Sequence, residues 1–96
     1  MFIVLLKFSS NKAQAGEFMD GHKAWLKRGL DDGVFLLAGG LKPQGGGGIL
    51  TQNISRPDLK VRVNDDPFVA HDVVAPEIIE FEPTLRQPSL DGLVGP

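Results

Sequence analysis

The sequence predicts an α+β fold of ferredoxin-like type, β-α-β-β-α-β, in which four antiparallel strands form one sheet and both helices lie on one face. Two observations carry this. The apolar pattern alternates between strand-like runs and helical spacing in that order. The strongest turn signal, Lys42 to Gly48 (KPQGGGG), falls between apolar segments and not inside one. The chain has 96 residues, enough for one small domain. Residues 1–83 hold the pattern, and residues 84–96 read as a Pro/Gly-rich C-terminal tail.

Met1 to Phe8 (MFIVLLKF) is apolar at nearly every position and reads as a strand covered on both faces. Ser9, Ser10 and Asn11 then offer a helix start, with Asn11 and Gln14 spaced as in a capping box. From Lys12 to about Asp32, Ala15, Phe18, Met19, His22, Trp25, Leu26 and Leu30 fall on one helical stripe. Lys12, Glu17, Asp20, Lys23, Lys27 and Arg28 lie mostly off it. Gly16, Gly21 and Gly29 each weaken a helix by about 1 kcal/mol relative to Ala, so this helix depends on packing. Gly33 is a natural C-cap.

Val34 to Leu41 is a second apolar strand, and Gly48 to Asn53 a third, joined as a hairpin. Ser55 caps a second, short helix to about Val63, with Pro57 in its first turn and Leu59, Val61 and Val63 as its apolar residues. Asp65-Asp66-Pro67-Phe68 ends it. Val73 to Phe81 is the last strand, and Pro76 marks an edge or an irregularity there.

Composition excludes several functions. At 42% apolar and 23% charged the chain is not a disordered tail, and a net charge of -2 does not suit nucleic acid. No apolar run approaches the roughly 20 residues that span a bilayer. The first strand lacks the basic start and cleavage site of a signal peptide. The chain has no Cys, hence neither disulfides nor thiolate metal sites. The expected setting is cytoplasmic. Two helices cover only one face of a sheet, yet the first two strands are apolar on both. A second copy packed sheet to sheet in a homodimer is the economical cover.

Two residues stand out chemically. His22 is a titratable ring on the apolar stripe of the first helix, either a core histidine satisfied by a backbone carbonyl or a site residue. Asp66 belongs to an acidic pair at a helix C-terminus, where the dipole prefers cations, so it is either a solvated turn or a carboxylate with a task. Should the two meet, they make a base and its orienter. Gly45 to Gly48 is not followed by Lys-Ser/Thr and a helix, so it reads as a hairpin turn and not a phosphate cradle. His71 lacks metal-ligand spacing and reads as surface; Ser9 and Ser10 read as a cap, and Asp31 and Asp32 as a solvated helix end.

These pieces together resemble the YCII-related family of dimeric α+β barrel proteins. The matching residues are FIVLLKF, His22 with Trp25-Leu26, GVFLLAGGL ending at Pro43, GGGGIL, and Asp65-Asp66-Pro67-Phe68-Val69, leading to Glu80-Phe81-Glu82-Pro83. The segment before Asp66 departs from the family, being Arg/Lys-rich with Pro57 where members carry an Ala/Glu-rich helix. The resemblance implies a His–Asp dyad in a cleft, here His22 and Asp66, beside an apolar substrate pocket lined by Trp25, Gly39, Gly40, Pro67 and Phe68. It implies no cofactor and no metal. One characterised relative eliminates chloride from a chlorinated hydroxyquinol, and similarly folded muconolactone isomerases shift a proton within a lactone. The expected function is therefore a lyase or isomerase acting on a small cyclic or aromatic acid. The alternative is a non-catalytic ligand-binding or accessory module of the same fold. The expected partners are a second copy and a small molecule, with no nucleic acid and no membrane.

Overall fold

The computed structural model describes residues 1–93. Its elements are β1 (Phe2–Phe8), a 3-10 turn at Lys12–Gln14, α1 (Ala15–Asp31), β2 (Phe35–Gly40), β3 (Gly47–Thr51), α2 (Arg56–Asn64), α3 (Pro67–Ala70), β4 (Val74–Glu80) and a second 3-10 segment at Pro88–Leu93. The four strands form one antiparallel sheet in the order β2-β3-β1-β4. This is the ferredoxin-like α+β arrangement expected from the sequence. Pro76 sits in β4, an edge strand, where its missing N–H is tolerated.

Strand parity builds the core. Phe2, Val4 and Leu6 of β1 are buried, as are Phe35, Ile49 and Val74 on the other strands. The helices bring Trp25, Leu59, Val63 and Phe68 against them. Fully burying side chains of this size is worth about 1.5 to 3 kcal/mol each. On α2, Leu59 and Val63 face inward while Val61 is exposed, so the apolar face is narrower than expected. Ser55 caps this helix as expected, its hydroxyl accepting the Asp58 N–H at 3.3 Å.

The start of α1 differs from the expected capping box. Asn11 makes no side-chain cap; its Nδ2 donates instead to the His71 carbonyl at 2.9 Å, while the 3-10 turn leads into the helix. Leu30, placed on the buried stripe, is 46% exposed. The cause is Gly29: a Cβ there would lie 2.0 Å from the Phe35 ring, so the helix meets the sheet at Gly29 and turns Leu30 outward. Gly29 is thus a packing residue and not simply a weak point of the helix. Gly33 ends the helix at φ +74°, a backbone that favours glycine.

The hairpin between β2 and β3 closes through Gly45 N–H to Leu41 O and Leu41 N–H to Gly46 O. Gly46 combines φ +86° with a Leu6 carbonyl that would lie 2.3 Å from any Cβ, so only glycine fits.

The sheet face away from the helices carries an apolar row across all four strands: Leu37 beside Leu50, Leu50 beside Ile3, Ile3 beside Ile79. Leu37 is 60% exposed and Ile79 39% exposed. In the tail, Arg86 pairs with Asp91 at 3.0 Å and Leu85 is exposed. Residues 94–96, the end of the tail expected over 84–96, lie outside the described residues. No helix is long and apolar enough to cross a membrane among the described residues.

Candidate active site

Asp66 occupies two helix ends at once. It follows the C-cap of α2 and is the N-cap of α3, with Oδ1 accepting the Phe68 N–H at 3.0 Å. The acidic pair is misplaced only if both residues belong to the end of one helix. The second residue begins the next helix, where an Asp cap is favoured. Pro67 then takes the first position, which needs no N–H. The α3 turn was not expected from the sequence.

α3 abuts α1 beside Gly21, where a Cβ would stand 3.0 Å from Pro67 Cγ. That closeness puts the next residue, His22, in reach of Asp66. His22 Nδ1 lies 2.9 Å from Asp66 Oδ1. The ring stacks on Phe68, with centroids 4.1 Å apart and planes 7° apart, and faces Trp25 at 5.9 Å. A carboxylate only accepts, so Nδ1 carries the proton and Nε2 is left with its lone pair. The His22 side chain is 13% exposed and that of Asp66 wholly buried. Asp66 Oδ2 is buried with no hydrogen-bond donor among the described residues.

His22 and Phe68 face a cavity of about 310 Å³, lined also by Gly39 and Gly40. Its wall is mostly apolar, with Leu6, Phe8, Met19 and Leu26 contributing. Gly40 and Gly47 pair across the sheet on the same face as Leu6, and the missing side chains leave the floor open. Two expected lining residues are not there. Trp25 is buried in the core, its Nε1 donating to the Arg62 carbonyl at 2.9 Å, and it supports His22 from behind. Pro67 packs on Gly21 and positions Asp66 without lining the cavity.

Phe8, Lys23, Gly46 to Gly48 and Val74 also line the wall, beyond the residues expected from the sequence. Strand parity was the available signal for Phe8, which continues the inward series of Phe2, Val4 and Leu6. The Gly run, expected as a turn, is both turn and floor. Lys23 lies off the buried stripe, as expected, and its exposure gives no sign in the sequence of its place in the cavity lining. His71 lies away from the cavity, stacked on Phe18 at 4.0 Å. Ser9 and Ser10 are likewise absent from the cavity wall. Asp31 and Asp32 take surface ion pairs with Lys27 and Arg62. No cluster of three or more His, Cys, Asp or Glu is arranged to hold a metal among the described residues.

No family model matches the chain, and no curated protein matches it in sequence. Among solved structures it is similar to 5-chloro-2-hydroxyhydroquinone dehydrochlorinase (TftG) from Burkholderia phenoliruptrix AC1100, in complex with 2,5-dihydroxybenzoquinone. The TM-score is 0.68 at 14% identity, over 84% of this chain and 93% of that one. The likeness is one of fold.

Proposed function

We propose that this chain is a cofactor-independent enzyme of lyase or isomerase type, acting on a small cyclic or aromatic acid. The observation that carries the reading is the 2.9 Å contact between His22 Nδ1 and buried Asp66, at the wall of an open apolar cavity. A core histidine needs neither a buried carboxylate nor a cavity. The fold shared with a dehydrochlorinase of a small aromatic substrate supports the same kind of chemistry.

In the proposed reaction His22 Nε2 removes a proton from a ring carbon or hydroxyl, and the released electron pair forms a new π bond. In an elimination, the leaving group departs with its own pair. In an isomerisation, the imidazolium returns the proton at another carbon. Asp66 holds the tautomer and stabilises the imidazolium, and positioned acid–base groups of this kind contribute about 10²- to 10⁴-fold.

The same proposal includes a homodimer through the open sheet face, whose apolar row of Leu37, Leu50, Ile3 and Ile79 spans the sheet.

The test is a panel of halogenated hydroquinols, hydroxylated aromatic acids and lactones, followed by halide release and by deuterium uptake from D₂O. A compound turned over by the wild type should lose at least about 100-fold in rate with His22→Gln. An unchanged rate in that variant removes His22 from the chemistry. Binding without release or exchange across the panel favours the ligand-binding module.

A further inference from the structure

Lys23 follows the proposed base on α1 and lines the same cavity. The lining contains no Asp or Glu, and Lys23 is its one permanently charged side chain among the described residues. It is exposed while lining the cavity, the situation in which a lysine stem covers apolar wall and its ammonium keeps to water. Its neighbours on the helix do not occupy it. Asp20, one turn earlier, makes no ion pair with it, and the next turn offers Leu26 and Lys27, the latter bonded to Asp31 at 2.8 Å. The arrangement is an apolar slot with one lysine at its entrance and one imidazole in its wall.

Such a slot sorts ligands by charge. A ring enters by burying apolar surface, and an anionic group on it must leave most of its hydration unless a cation meets it at the rim. A ring held by its anionic end at Lys23 also has its body directed toward His22, as proximity catalysis needs. We propose that Lys23 is the specificity-determining residue of this cavity, selecting ring-shaped ligands that carry a carboxylate or an ionised hydroxyl. This rests on the reading of the cavity as the substrate site.

The probes are benzoate and benzamide, which share size and shape and differ in charge. Affinities are read by NMR titration on the wild type and on Lys23→Met, Lys23→Arg and His22→Gln. The wild type should prefer benzoate by about tenfold, the scale of one charge-assisted contact. Lys23→Met should abolish the preference while leaving benzamide binding unchanged. Lys23→Arg and His22→Gln should keep it, and added salt should reduce it, because the cation is at the surface. Equal binding of both probes by the wild type, or a preference that survives in Lys23→Met, overturns the role of Lys23 and leaves the cavity as a ligand site. Failure of both probes to bind the wild type overturns the cavity reading and this inference together.

Discussion

At the scale of single residues, Asp66 does two jobs that can be separated. It caps α3 through Phe68 N–H and it binds His22 Nδ1, both with the same oxygen. Asn caps as well as Asp, so Asp66→Asn should cost less than about 1 kcal/mol in urea unfolding. It cannot stabilise an imidazolium, so any turnover should fall by about 10²-fold or more. Asp66→Ala removes the cap and strands the buried Phe68 N–H and the part-buried His22 ring donor, and should cost about 2 to 4 kcal/mol. Equal stability of the two variants would mean that the cap is not held by this carboxylate.

At the scale of elements, glycine positions decide how the layers meet. Gly29→Ala drives a methyl into the Phe35 ring and should destabilise by about 1 to 3 kcal/mol. Gly16→Ala, with nothing within 4 Å, should be neutral or stabilising by up to about 1 kcal/mol. Chemical denaturation of the pair tests whether α1 approaches the sheet at Gly29. Gly40→Val meets only the Gly46 carbonyl at ordinary contact distance, so it should fill the cavity floor, keep the fold and abolish ligand binding in an NMR titration. Most of this layer was legible beforehand. The strand and helix order follows from periodicity, because burial of one face imposes it. The α3 turn was not legible: four residues give too short a period to detect, and Asp66 looks alike whether it ends one helix or starts another. The inward turn of Gly29 was also hidden, since helix propensity registers its weakness and not its partner across the layer.

At the scale of the whole molecule, one face of the sheet is packed by helices and the other is left with an apolar row. Each isolated side chain of such a row is normal on a surface, but a continuous row across four strands is costly to leave in water. Light scattering should give twice the mass of one chain, and Leu37→Asp, at the β2 end of the row and its most exposed member, should give one chain mass without loss of helix signal. A wild-type monomer at micromolar concentration would contradict the homodimer. The sequence made this gap legible through the doubly apolar runs of Met1 to Phe8 and Val34 to Ala38. The cavity was only half legible from those runs. His22 and Asp66 could be named, but residues 44 positions apart in sequence meet only once Gly21 and Pro67 are seen in contact.

The central claim is that Asp66 fixes His22 with its free nitrogen toward a ligand cavity. The most direct measurement is ¹⁵N NMR of histidine-labelled protein at alkaline pH, where His71 is the only other signal and His22→Gln assigns both. The expected result is the Nδ1–H tautomer for His22, and a shift of its Nε2 signal when a bound ring acid fills the cavity. An Nε2–H tautomer, or a His22 signal unmoved by a ligand that demonstrably occupies the cavity, would contradict it.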